Sequence, residues 1–190
     1  MSPQQTNQQI TLLALQIASE RGLDNLSLSD LAEAAGIRKA TLYSHFVSKE
    51  ALVDAMYHLI DSFSGAESVS LSGEAETVLQ TTVRHWVAAY TTTPMRWAWR
   101  VVFQMRFTDP RAASRARAIH NMFLAQTQAV LETLSDTGRL DIPDLDLATT
   151  LFASAAESFI DEENITENDQ EDWQLSRMVS RFCRTFMPRQ

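Results

Sequence analysis

The sequence reads as an all-α protein. Only five glycines and five prolines occur in 190 residues, no stretch alternates Val, Ile and Thr between turn signals, and apolar residues recur instead at three- and four-residue intervals. Hydrophobic residues make up 45% and charged residues 21%, close to the globular average, which excludes a wholly disordered chain.

Residues 1–6 read as a frayed tail. From Gln9 to Arg21 the positions Ile10, Leu13, Ala14, Ile17 and Ala18 keep helical spacing, and Gly22 stops the helix. Ser27 followed by Asp30 is a capping pattern that opens a short helix with Leu28, Leu31, Ala32 and Ala35 inward, closed by Gly36. Residues 38–46 form a second short helix. Ser48 caps a longer one carrying Leu52, Met56, Leu59 and Ile60, with Glu50 near its positive end.

A Ser/Gly-rich stretch, Ser62 to Gly73, reads as a linker. Beyond it the spacing predicts helices over about 74–91, 95–107 and 110–136, with Pro94 and Pro110 at tolerated first-turn positions. Gly138 to Pro143 is a break, and two last helices cover about 144–161 and 170–187. Trp97 and Trp99 cannot share one helix face, so one is expected in the core and the other at a cavity or interface.

Sixteen Lys and Arg against twenty-four Asp and Glu give a net charge of -8. That argues against a protein that coats polyanions, while a local patch remains compatible with nucleic acid because charge is screened within roughly 10 Å at ~0.1 M salt. The single Cys183 cannot form an internal disulfide and fits a reducing cytoplasm. No Cys/His cluster offers a metal site and no apolar block is long enough to span a membrane, so no metal, cofactor or membrane is expected. Eight carboxylates between Glu157 and Asp172 lack the order of a calcium loop and read as a solvated connection. With no nucleophile/base pair and no Gly-rich phosphate loop, an enzyme is not expected.

The informative segment is Ala35 to Leu52. Two short helices joined across Gly36, with a third before them, are a helix-turn-helix, whose second helix enters the major groove. Lys39 and Thr41 lie near the start of that helix. Leu42 and Phe46 bury beneath it, leaving Lys39, Tyr43 and His45 outward and Ser44 to one side. Both lysines of the chain, Lys39 and Lys49, stand here. Residues 1–50 nevertheless hold four cations against five carboxylates, a balance of -1, leaving -7 for the rest.

Ala35-Gly36-Ile37, then Thr41-Leu42-Tyr43, His45-Phe46, Ser48-Lys49-Glu50 and Leu52 resemble the DNA-binding domain of the TetR family of bacterial transcriptional regulators, over about Ile10 to Tyr57. The resemblance implies that Ser27 and Ser29 lie near phosphates, that Lys39, Thr41, Tyr43, Ser44 and His45 face the groove and its walls, and that Lys49 clamps the backbone. Arg38 departs from the family pattern, which places a small N-capping residue there, and is a candidate DNA contact.

The resemblance divides the chain into a helix-turn-helix DNA-binding domain with its connecting helix (1–61), a linker (62–73) and a helical effector-binding and dimerisation domain (74–190). It implies a small-molecule effector of unknown identity, for which Trp86, Tyr90, Trp99, Phe103, Met122, Phe123 and Gln126 are candidates. Arg96, Arg100 and Arg106 suit an anionic effector or, as the plainer alternative, exposed pairing with surface carboxylates. It also implies a homodimer through the last two helices. There the small residues Ala148, Thr149, Ala153, Ala155, Ala156 and Ser158, and the stripe Leu175, Met178, Val179, Phe182, Cys183 and Phe186, suit a four-helix interface; the alternative is that both stripes are filled within one subunit. The expected function is a repressor that binds a roughly palindromic operator and is released by its effector. The alternative is a constitutive regulator or activator whose larger domain only dimerises.

Overall fold

Nine α-helices and one 3-10 turn form among residues 3–63, 69–166 and 172–188, the residues that the computed structural model describes. None of these helices is long and apolar enough to cross a membrane. The chain divides into two compact units, Met1–Ser64 with Thr92–Ala116, and Gly65–Thr91 with Arg117–Gln190.

In the first unit, helix α1 (Pro3–Arg21) buries Ile10, Ala14, Leu15, Ile17 and Ala18. It starts earlier than expected, so residues 3–6 are helical rather than frayed. Proline is pre-organised for a first turn, and glutamine is nearly as good a helix former as leucine. Gly22, at φ 85°, ends the helix, and the 3-10 turn Leu23–Asn25 drops Leu23 and Leu26 into the core.

Helix α2 (Leu28–Ala34) opens on Ser27, whose Oγ accepts from the Asp30 N–H at 3.0 Å. Its far end is a Schellman turn: Ile37 N donates to Ala32 O and Gly36 N to Glu33 O, both at 3.0 Å. Gly36 adopts φ 65° in open space, so glycine is needed there for its backbone and not for room. Helix α3 (Lys39–His45) and helix α4 (Lys49–Asp61) follow, the latter capped by Ser48 Oγ accepting from Ala51 N at 3.2 Å. Leu31, Leu42 and Leu52 are fully buried, each contributing about 1.5–3 kcal/mol of apolar burial.

After helix α5 (Ala75–Thr91), helix α6 (Met95–Met105) returns to this first core. Val101 and Ala112 lie inside it, and Trp97 and Met105, one turn before and after Val101, pack against it. Residues 92–116 thus group with the first compact unit, across the expected division at 62–73. The apolar stripe of α6 is the surface that closes the open side of α1.

In the second unit, α5 packs with helix α8 (Leu145–Thr166) and helix α9 (Asp172–Thr185), and the stretch of helix α7 (Pro110–Asp136) from Arg117 onward belongs to the same unit. Val83, Trp86, Phe123, Leu131, Leu134, Phe152 and Ile160 are fully buried there. Of the expected linker, residues 64–68 lie outside the described residues; Leu71 and Gly73 give their carbonyls to Arg139 Nη1 at 2.8 and 2.7 Å. Residues 167–171 of the acidic connection also lie outside. Glu157, assigned to that connection, is instead half-buried in α8 against His120 of α7, Oε1 to Nδ1 2.8 Å, and burial raises its pKa.

Candidate nucleic-acid interface

Recognition chemistry depends on α3 showing one face while the other is anchored. Leu42, fully buried, and the C-cap Phe46, 5% exposed, hold the under-face. Arg38, Lys39, Thr41, Tyr43 and Ser44 are exposed, and His45 is half-buried. Arg38 occupies the N-cap with no side-chain capping bond, as its lack of an acceptor requires, so its guanidinium is not spent on the helix. Ser44 Oγ donates to Thr41 O at 2.6 Å, which leaves its acceptor lone pairs outward.

The flanking residues serve the fold as well. Ser27 and Ser29 are half-buried, and Ser27 spends an oxygen lone pair on the α2 cap. Lys49 is half-buried, with Nζ donating to the Asp24 carbonyl at 3.0 Å, a bond that ties the start of α4 to the 3-10 turn. Its neighbour Glu50 is held below the usual carboxylate range by its own backbone N–H and then by Ser48.

A second cluster went unpredicted. On α4, Asp54, Tyr57 and Asp61 stand at i, i+3 and i+7, and on the first turns of α7 Arg111 and Arg115 stand four apart. Arg111 pairs with Asp54, and Arg115 Nε meets Asp61 Oδ1 at 2.8 Å. Both guanidiniums lie over the Tyr57 ring, 5.1 and 4.5 Å from its centroid. Asp109 receives Arg111 Nη2 at 2.7 Å and the Tyr57 hydroxyl at 3.2 Å, and its Oδ1 also accepts from the Arg111 backbone N–H at 2.8 Å. The Arg111 hydrogen bonds hold Asp109 down at about 2, while burial and then Asp109 push Tyr57 up to about 12. The matched spacings, carboxylate–aromatic–carboxylate on one helix and arginine pair on another, were the available signal.

The seven effector candidates divide between the compact units. In the second, Trp86 meets Phe123 edge-on at 5.0 Å, Tyr90 meets Phe123 at 5.4 Å, and the Tyr90 hydroxyl reaches Met122 Sδ at 3.6 Å. Gln126 is half-buried one turn beyond Met122 on α7. In the first unit, Trp99 is buried and stacks on Phe103 at 4.1 Å. Arg96, Arg100 and Arg106 are half-buried rather than exposed. Arg106 lies over the Phe103 and Phe107 rings at 5.1 and 4.6 Å.

The stripes assigned to dimerisation are largely filled within the chain. Ala148, Thr149, Ala153 and Ala156 of α8 and Leu175, Val179 and Cys183 of α9 are buried, and Phe182 packs between Phe152 and Phe186 at 4.9 Å from each. A helix with a small-residue face and a helix with an aromatic face complement each other inside one subunit. What the two helices leave outward is Leu147, Leu151 and Ile165 on α8 and Trp173 on α9, all more than half exposed. Beside Trp173 an open groove runs between Phe159, Met178, Arg177 and Arg181.

Two family models match the chain: one for bacterial regulatory proteins of the tetR family over residues 10–56, the other for the C-terminal domain of AefR-like transcriptional repressors over residues 77–189. The chain is 40% identical over 63 residues to the HTH-type transcriptional repressor KstR2 of Rhodococcus jostii, covering 32% of this chain and 31% of that protein. It is 37% identical over 71 residues to the HTH-type transcriptional regulator YvdT of Bacillus subtilis, covering 33% and 37%. The matches thus span about a third of the length of these curated relatives. In fold it is similar to the Pseudomonas aeruginosa repressor MexZ, with a TM-score of 0.71 at 16% identity over 97% of this chain and 96% of that one. A capped helix-turn-helix matching one model and a C-terminal helical region matching the other leave a single assignment: the chain belongs to the TetR family of bacterial regulatory proteins.

Proposed function

We infer that the protein is a cytoplasmic, homodimeric transcriptional repressor that binds a roughly palindromic operator and is released by a small-molecule effector. The observation that carries this reading is α3 itself, anchored through Leu42 and Phe46 with Arg38, Lys39, Thr41, Tyr43 and Ser44 outward. Ser27, Ser29, His45 and Lys49 flank that face. A balance of -1 over residues 1–50 supports few phosphate contacts per subunit, so tight binding needs two subunits and a moderate salt slope. The outward apolar residues Leu147 and Leu151 support α8, with α9 beside it, as the seat of the second copy.

The Trp86, Tyr90, Met122 and Phe123 layer supports an apolar effector with at most one or two polar groups. Release requires that effector to bind the operator-incompetent conformation more tightly, and a typical coupling of about 1–3 kcal/mol corresponds to roughly 5- to 150-fold in operator affinity. The second reading, a regulator without a ligand, is favoured by the tight ring packing of Trp86 and Phe123, 2% and 0% exposed.

Gel-shift titration of the full chain against DNA flanking its own gene tests the proposal. Saturable retardation at two chains per site, reversed by a compound that also raises the melting temperature, is the expected result. Retardation that no stabilising compound reverses favours the ligand-free reading, and absence of retardation on every fragment sinks both.

A further inference from the structure

The DNA-binding reading leaves open how bases are told apart, and the exposed chemistry of α3 narrows it. Between Arg38 and Val47 no exposed side chain is an amide or a carboxylate. The bidentate amide contact that reads adenine and the carboxylate that accepts from the cytosine amino group are therefore both missing from this stretch, where the hydroxyls of Thr41 and Ser44 are the polar acceptors left. What it does present is apolar surface. Ala40 is exposed, Tyr43 is 50% exposed and Val47 is 81% exposed, while Leu42 and Phe46 between them are 0% and 5%. Ala40 and Tyr43, three apart, share the outer face of α3, and Val47 follows the extended Phe46 C-cap in the turn before Ser48.

Thymine alone among the bases puts a methyl group into the major groove, and apolar side chains are what reads it. Resting on the DNA-binding reading, we propose that the operator half-site is read in large part through thymine C5 methyl groups, met by Ala40, Tyr43 and Val47. Arg38 and Lys39 then serve guanine edges or phosphates, and the hydroxyls of Thr41 and Ser44 tune neighbouring positions.

The test uses duplexes enriched from a random-sequence library by the full-length protein, with deoxyuridine then replacing each thymine of a half-site in turn. Binding is followed by fluorescence anisotropy. Deleting a contacted methyl is expected to weaken binding about fourfold, the equivalent of about 0.8 kcal/mol per methyl-sized group. At one position the loss should vanish in Val47→Ala, whose fold is checked by circular dichroism. An enriched motif whose affinity is indifferent to uracil at every thymine, or one without thymine, overturns this inference and leaves the DNA-binding reading standing. Failure to enrich any motif overturns both.

Discussion

On the proposed reading the Lys49 ammonium serves two partners. Its Nζ already donates to Asp24 O at 3.0 Å, and an ammonium carries three donors, so two remain for a phosphate. Lys49→Ala should lower operator affinity and make the log–log salt slope shallower by about one per subunit. Tyr43→Ala, at a half-exposed site, should weaken binding at unchanged slope and unchanged melting temperature. Gel shifts at several salt concentrations separate the two, and wild-type affinity in both variants would remove α3 and the start of α4 from the interface. Asp109 gives a pH prediction. Its folded-state pKa, near 2, lies below the ordinary carboxylate value of 3.8, so its contribution to stability is full above about 4 and is lost as pH falls toward 2. The stability gap between wild type and Asp109→Asn, read from urea midpoints, should close over that window; a gap constant from pH 6 to pH 2 would show that the charge is not the cause.

Elements differ in how far their neighbours can be read from spacing. The capped pair α2 and α3 is local: Ser27, Gly36 and Ser48 fix the turns, and Leu42 and Phe46 have no other face to bury. That part of the fold, with the buried and exposed faces of α3, was legible. The faces of α8 and α9 were not, because an alanine-rich stripe suits a partner subunit and a neighbouring helix equally, and only the packing of Phe182 against Phe152 decides. The joint between α4 and α7 was missed for a related reason: the matched spacings of Asp54 and Asp61 and of Arg111 and Arg115 do not say which helix lies against which until the fold brings the two together. Magnitudes rank its parts. Tyr57 is 2% exposed, so Tyr57→Ala should cost about 3 kcal/mol, whereas Arg115→Ala, removing a partly solvated pair, should cost less than about 1 kcal/mol. Chemical denaturation of the two variants checks the order, and equal losses would mean that the ion pairs carry the joint.

At the scale of the whole molecule the -8 charge falls mainly outside residues 1–50, which limits indiscriminate binding to polyanions without weakening a specific site. On the proposed reading, assembly makes two weakly charged recognition units into one tight binder. Glutamate at both Leu147 and Leu151, exposed at 55% and 57%, should give folded monomers with operator binding reduced at least a hundredfold, as light scattering and gel shifts would report. Phe182→Ala should instead lower the melting temperature with the dimer retained at low temperature, because its ring is used within the subunit. An undiminished dimer in the glutamate variant would move the interface off α8.

The return of residues 92–116 to the first unit sets an order of events during synthesis. Val101 and Ala112 belong to the same core as Leu15 and Leu52, so the core of the helix-turn-helix unit is still incomplete when its own helices leave the ribosome. It is completed only once Ala112 has emerged. Nascent chains halted soon after Asp61 has emerged should therefore be more protease-sensitive over α1–α4 than the full chain is, in the segment that the proposed function sets against DNA.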